Sequence, residues 1–441
     1  MHQMQDSRST RRTFLFKAAT TAAAVSAASQ IDISDNAYAG AGDSLKIGLV
    51  GCGGRGTGAA EQALLADKGN ALYAMGDAFA NQIEASHSSL KGSPAMGVGE
   101  RVDVPSSRRY VGFDAYKQVI DDCDVVLLAT PPGFRPIHFA YAVEKGKHAF
   151  VEKPMAVDGP GLRMFMESAK KSKEKGLSVV NGFCWRYFAP RRELMARVHG
   201  GDIGPIVSIE TTYDSQGVWE PDRDQHLPRA KCQSDMEYQM RNWYYYSWLS
   251  GDHIVEQAVH GLDTMAWAMN DMPPIRAWGV GGRQVRTEPK YGNIFDHFSI
   301  VYEYPEDIRG YHQCRHWANT PARVADHILG ATGRADVFGK KITGAKPWRF
   351  RAAEGAPPLD MYQSEHNEMF AALRAGKPIN NSEKAATSTL LALMGRMAAY
   401  TGEVITWDRA MQSKEQLVPE TFTWGDAPQK PVPIPGVTKF V

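Results

Sequence analysis

Three side chains of types that move protons stand out by their placement in this sequence: Lys153, Glu256 and His260. Lys153 lies in Glu152-Lys153-Pro154, directly after the strand-like run Lys147 to Val151. A lysine beside a proline at a buried strand end is partly desolvated, and burial weakens its hold on its proton. Such an amine suits acid/base or hydrogen-bonding work on an alcohol. Glu256 and His260 stand four residues apart, a spacing that puts both on one helix face. Glu256 is then expected to orient or charge-stabilise His260, whose imidazole would take a hydroxyl proton. On spacing alone, a core histidine satisfied by a helical carboxylate is the better fit. His253, Glu256 and His260 match no zinc spacing and no cysteine joins them, so no metal is expected.

The elements that must position these groups begin with Leu45 to Val50, which reads as a short strand. Gly51-Cys52-Gly53-Gly54-Arg55-Gly56 follows and fits G-x-G-x-x-G, and Thr57 to Lys68 reads as a helix. Gly51 permits the tight turn, Gly53 lets backbone approach a pyrophosphate, and Gly56 lets helix and strand pack closely. Free N–H groups at the helix start favour phosphate. Ala71 to Met75 runs into Gly76-Asp77, and a carboxylate there accepts from a ribose 2′-hydroxyl and repels a 2′-phosphate. NAD is therefore expected rather than NADP, and hydride would pass to it as His260 takes the proton. Asp124 to Ala129 is a near-continuous apolar run, as a buried parallel strand requires, and it ends at Thr130-Pro131-Pro132. Ile137 to Lys145, which includes His138, has helical spacing. Strands alternating with helices predict a doubly wound parallel sheet with its ligand at the carboxyl strand ends. The expected cofactor residues are thus Gly51 to Gly56, Asp77, Thr130, Pro131, Pro132, His138, Glu152 and Lys153.

The sequence here resembles the Gfo/Idh/MocA oxidoreductase family. The resemblance rests on Gly51 to Gly56, Thr130-Pro131-Pro132, Glu152-Lys153-Pro154 and Gly204-Pro205-Ile206-Val207, and it covers roughly residues 44 to 410. It implies an N-terminal Rossmann domain and a C-terminal α+β domain with an open, mostly antiparallel sheet. Lys153 would sit beside both the nicotinamide and the substrate hydroxyl, and the substrate would be a sugar, an inositol or a related polyol. The family pattern places Asp four residues before its catalytic histidine, where this chain has Glu256. Arg186-Tyr187 resembles the family's arginine after the strand Leu177 to Phe183, which makes both substrate-contact candidates. The stretch Tyr213 to Leu249 is rich in aromatic residues, Tyr245 among them, whose faces suit a sugar ring and a subunit interface equally. Some relatives oxidise a sugar carbon, eliminate, add water and reduce again, so a net glycosidase is the alternative activity. A cofactor-containing binding protein without turnover is a third.

Later segments read as strands near Val280 and over Ile294 to Tyr304, Ile308 to His316 and Val324 to Phe338. Helices are expected over Tyr362 to Ala375 and Glu383 to Tyr400, packing back near the cofactor domain, with His366 a candidate to reach the cleft. The resulting division is 44–155 for the cofactor domain, 156–410 for the substrate and oligomerisation domain, and 411–441 for an extended tail. If the outer sheet face is apolar, it would be buried in a homo-oligomer, a dimer or tetramer.

Residues 1–39 read as an address. Arg11-Arg12 precedes Phe14-Leu15, an Ala-rich stretch runs from Ala18 to Ala28, and Ala37-Tyr38-Ala39 offers a cleavage site. This order predicts twin-arginine export of a folded protein to the periplasm or another extracytoplasmic site. Away from a nicotinamide pool, the cofactor would have to be held tightly. Length and charge fit that picture: 441 residues suit two domains, and 50 basic against 49 acidic residues give no field for nucleic acid or a membrane surface. The 5 cysteines form no CxxC pair and read as small buried residues.

Overall fold

Two sheets account for the architecture. A computed structural model describes residues 44–223, 226–355 and 358–441. The expected export signal, residues 1–39, lies outside the described residues.

The first sheet contains β1 (Leu45–Val50), β2 (Asn70–Asp77), β3 (Arg109–Val111), β4 (Val125–Leu128), β5 (His148–Val151) and β6 (Val179–Asn181), in the order β3-β2-β1-β4-β5-β6. Every pairing in it is parallel. All four residues of β4 are buried, because helices cover both faces of a parallel sheet. The strand order reverses between β1 and β4, and ligands of such sheets bind in the crevice at that reversal. The sheet runs past the boundary expected at residue 155. That position falls inside a β-α-β crossover, since helix Gly159–Glu174 carries the chain from β5 to β6.

The second sheet has the order β14-β13-β12-β11-β7-β10-β9-β8-β15. Its strands are β7 (Ile206–Ser215), β8 (Arg276–Gly282), β9 (His297–Glu303), β10 (Arg309–His316), β11 (Arg323–Gly330), β12 (Gly333–Asp336), β13 (Lys341–Gly344), β14 (Trp348–Arg349) and β15 (Ile405–Thr406). The β7–β10 pair is parallel and the remaining pairs are antiparallel. The single strand expected over Val324 to Phe338 is a hairpin, β11 and β12, turning at Ala331-Thr332.

The C-terminal helices tie the sheets together. Helix Ser382–Thr401 is buried along almost its whole length, and Tyr302 of β9 donates to its Leu391 carbonyl at 2.8 Å. Helix Met361–Arg374 packs against helix Gly54–Ala66, with Arg374 and Asp67 paired at 2.9 Å. One apolar cluster is continuous from Val50 and Val126 of the first sheet to Phe298 and Ile300 of the second. A core shared in this way fixes the carboxyl ends of β1, β4 and β5 against the second domain. After helix Trp407–Gln412 the chain is irregular to its end.

Candidate active site

A cleft of about 520 Å³ runs from the glycine turn to the second sheet. Its floor is the turn after β1. Gly51 has φ +94°, and a Cβ there would lie 2.6 Å from the Thr130 amide. A Cβ on Gly56 would lie 1.9 Å from the Gly51 carbonyl oxygen. These two glycines are required by the turn itself. Gly53 and Gly54 differ: a Cβ on either meets no described atom within 4 Å. They face open space where a ligand's backbone would lie. Gly53 is also the N-cap of helix Gly54–Ala66, with no side chain to occupy the first N–H groups. Asp77 closes β2, its Oδ2 accepting from the Cys52 amide at 2.7 Å and its Oδ1 from the Phe79 amide at 2.9 Å. Burial raises its pKa, against the pull of those N–H groups. An open glycine cradle at an uncapped helix start, beside a strand-end carboxylate, fits the phosphates and ribose of a dinucleotide.

Of the predicted glycine-turn residues, Cys52 is the exception. Its side chain turns into the core, with Sγ 3.5 Å from the Gly76 carbonyl, because odd and even positions of a strand end face opposite sides. It can offer a ligand only backbone.

Thr130, Pro131, Pro132 and His138 border the cleft as expected. Thr130 Oγ1 lies 3.3 Å from His138 Nδ1, and the His138 ring stacks on Tyr116 at 4.2 Å. Burial pushes His138 down to about 3, so it is a neutral wall residue that holds Thr130. Behind it the buried Arg135 donates to the Pro154 carbonyl at 2.5 Å and to the Thr130 carbonyl, joining the ends of β4 and β5. Glu152 is 4% exposed and pairs with Arg55 Nε at 3.2 Å, which joins the end of β5 to the glycine turn. The Lys153-Pro154 peptide is cis.

The chemistry-bearing trio meets at the far end of the cleft, but not as the spacing suggested. Helix His253–Glu256 stops at Gln257, and a new helix, Val259–Ala268, begins after Ala258. The Ala258 amide bonds back to His253, so Glu256 and His260 do not share a helix face. Glu256 instead holds Lys153, with Oε1 2.8 Å from Nζ, and its carbonyl accepts from the same amine. His260 stacks on Trp185 at 4.9 Å, and its Nδ1 has no hydrogen-bond partner among the described residues. Burial, with the charges of Lys153 and Arg191 nearby, holds His260 well below its ordinary pKa. A neutral imidazole and a lysine tethered to a carboxylate thus border one space.

Three expected substrate contacts lie elsewhere. Arg186 pairs with Asp263 at 2.8 Å and Asp271 at 2.5 Å, and these partly buried bonds pin helix Val259–Ala268 and the residues after it to the turn Cys184–Tyr187. Tyr187 is buried, its hydroxyl accepting from Asn381 Nδ2 at 2.8 Å. Tyr245 is fully buried behind the cleft wall and donates to the Trp219 carbonyl. The partners that draw these side chains away come from distant parts of the chain. His366 is likewise buried, packed on Phe150 at 4.3 Å rather than in the cleft. In their place Tyr213, Trp219, His226, Trp243 and Gln257 line the same cleft as His260. Trp185 and Gln257 were not expected, although each adjoins a residue that was. Among the described residues no cluster of histidine, cysteine or carboxylate side chains could hold a metal ion.

Two family domains match this chain. The NAD-binding Rossmann fold of the GFO_IDH_MocA oxidoreductase family matches residues 45–183, and the GFO/IDH/MocA C-terminal domain matches 192–344. The chain is similar to a glycosyl hydrolase family 109 protein of Shewanella pealeana, with 25% identity over 40% of this chain and 37% of that protein. It is similar to an inositol 2-dehydrogenase of Klebsiella pneumoniae, with 23% identity over 52% of this chain and 55% of that protein. These alignments span about half of the curated relatives or less. Among solved structures, aldose-aldose oxidoreductase from Caulobacter crescentus superposes with TM-score 0.62 at 16% identity, covering 82% of this chain and 99% of that one. At that identity the likeness is one of fold.

Proposed function

The chain carries both domains of the Gfo/Idh/MocA oxidoreductases, and on that premise we propose that it transfers hydride between a secondary alcohol of a sugar or polyol and a nicotinamide dinucleotide. What supports the reading is one observation: the cleft that opens at the glycine turn ends at Lys153 and His260. A bound nicotinamide supplies the hydride acceptor. Lys153, held by Glu256, donates to the substrate oxygen and fixes the carbinol carbon. His260, neutral because it is buried, receives the hydroxyl proton as the carbon–hydrogen bond breaks. Trp219, Trp243 and Tyr213 supply flat apolar faces for a sugar ring. Asp77 selects NAD over NADP.

Export by the twin-arginine route belongs to the same proposal and rests on residues 1–39 of the sequence. Amino-terminal sequencing of protein from the periplasmic fraction tests it, and an intact Arg11-Arg12 pair there counts against it. The activity is tested by mixing cofactor-loaded protein with a panel of pyranosides and inositols and following reduced-nicotinamide absorbance. No change with any of them overturns the dehydrogenase reading.

A second reading is favoured by the similarity to a glycosyl hydrolase family 109 protein. There the alcohol is oxidised, a leaving group is eliminated, water adds and the ketone is reduced by the same hydride. Free sugar released without net reduced cofactor supports this reading, and a keto-sugar product excludes it as the main activity.

A further inference from the structure

At the end of the cleft away from Lys153, three separated parts of the chain meet on one rim. Phe79 and Phe113 follow β2 and β3 and line the cleft next to Asp77. Arg241, at the end of helix Asp235–Arg241 from the second domain, reaches the same place. Its guanidinium lies 4.1 Å over the Phe79 ring, is fixed by Glu237 at 2.8 Å, and acts on the Asp77 carboxylate. The third part is the C-terminal segment. Trp424 packs on Phe113 at 4.6 Å and on Phe79 at 5.5 Å, and Phe422 packs on Phe113 at 5.8 Å.

The segment is fastened on both sides of these rings. The Leu417 amide donates to the buried Asp158 carboxylate at 2.8 Å. The Gly425 carbonyl accepts from the Met236 amide at 3.0 Å, and the Pro428 carbonyl from Gln239 Nε2 at 3.1 Å. Both latter bonds go to the helix that carries Arg241. Ordering an irregular chain costs conformational entropy, which these contacts must offset. Trp424 remains 48% exposed, so its ring braces the cleft wall more than it fills a core.

We propose that helix Asp235–Arg241 and the segment 417–428 form a clasp over the adenosine end of the cleft that sets how long a bound nicotinamide dinucleotide stays. Arg241 is the cofactor contact supplied by the second domain, a cation for the phosphate or ribose oxygens beside Asp77. Phe422 and Trp424 are positioning residues that hold Phe79 and Phe113, the aromatic wall for the adenosine, in place. A dinucleotide leaving the cleft has to displace this rim. The inference rests on the dinucleotide-binding reading above and adds to it a retention device.

The test uses the full chain loaded with reduced nicotinamide dinucleotide. Release is followed as loss of enhanced nicotinamide fluorescence on dilution into excess oxidised cofactor. Phe422→Ala/Trp424→Ala is expected to release the dinucleotide about tenfold faster, since it removes the three ring pairings that Phe422 and Trp424 make with Phe79 and Phe113. Arg241→Ala is expected to weaken equilibrium binding as well, with a steeper loss at low salt. Far-UV circular dichroism and the melting transition check that each variant is folded. Because Trp424 is half exposed, Trp424→Ala alone provides a milder second variant expected to shift release in the same direction. Unchanged release in folded Trp424→Ala and in the double variant overturns the clasp while leaving dinucleotide binding intact. If the wild-type chain binds neither NAD nor NADP, the dinucleotide-binding reading itself falls.

Discussion

Lys153 sits between a carboxylate and an imidazole, and the two neighbours act on it differently. Glu256 holds the amine at 2.8 Å and so fixes where it can donate. His260 feels the amine's charge, which together with burial keeps the ring unprotonated. Replacing either Lys153 or His260 by alanine should lower kcat roughly 10²- to 10⁴-fold, the usual scale of a positioned acid or base. Dinucleotide affinity should change little in His260→Ala, and fluorescence titration alongside steady-state rates separates the two effects. Glu256→Gln keeps the shape but removes the charge that anchors Lys153. Its kcat should fall while KM for the alcohol rises, because the lysine is no longer fixed against the substrate oxygen. The Lys153–His260 coupling has its own signature. Removing the amine in Lys153→Met takes away one of the influences that depress His260, so its ring should titrate closer to the ordinary 6.5, although burial keeps it below. Nuclear magnetic resonance titration of the His260 ring reads this directly, and no upward movement would mean the amine does not face the imidazole.

At the scale of elements, the site depends on a turn with no spare volume. Gly56→Ala would place a methyl group 1.9 Å from the Gly51 carbonyl oxygen, so helix Gly54–Ala66 must move off β1. Loss of dinucleotide binding and a melting temperature lowered by several degrees are the expected result, the cost of overpacking being about 1–3 kcal/mol. Gly54→Ala meets no described atom within 4 Å and should fold normally, failing only in cofactor affinity. Such local constraints are what made half of this site readable. The strand, the glycine turn, Asp77, Thr130 and Lys153 each lie at a strand end of one β-α-β series, where near neighbours in sequence set position. The readings that failed depended on distant partners. Arg186 was drawn from the cleft by Asp271, 85 residues away, and Tyr187 by Asn381, 194 residues away. Glu256 turned from His260 to Lys153, 103 residues earlier, once the helix broke at Gln257. No local pattern marks that break, since neither glycine nor proline stands at Gln257 or Ala258. The aromatic stretch before His260 could be seen, but which of its rings face the cleft is decided by packing across the domains.

The whole molecule carries two further expectations, one on its surface and one in its core. The outer face of the second sheet exposes Val280, Tyr311 and Leu329 at 67%, 46% and 45% from three of its strands. A second copy of the chain is the proposed cover for this face, and Tyr311→Glu should shift the light-scattering mass toward the monomer. In the core, burial holds five histidines neutral. His138, His312 and His366 are each pushed to about 3, and His260 and His316 lie well below their ordinary value of 6.5. A base depressed on folding binds fewer protons folded than unfolded, so its stability contribution is full above 6.5 and is lost as pH falls below it. Four buried acids act in the opposite sense, Asp77 and Asp263 being raised by burial alongside Asp326 and Glu365. Burial pushes Asp326 up to about 7 and raises Glu365 well above its usual range, so the folded chain holds protons there that the unfolded chain releases. The histidines outnumber the acids, so unfolding at pH 5.5 takes up protons on balance. Each unbalanced proton costs about 1.4 kcal/mol per pH unit. The melting temperature should therefore fall between pH 6.5 and pH 5.5. A melting temperature unchanged between pH 6.5 and pH 5.5 would mean that proton uptake by these histidines on unfolding does not exceed proton release by the acids, and the expected balance then fails.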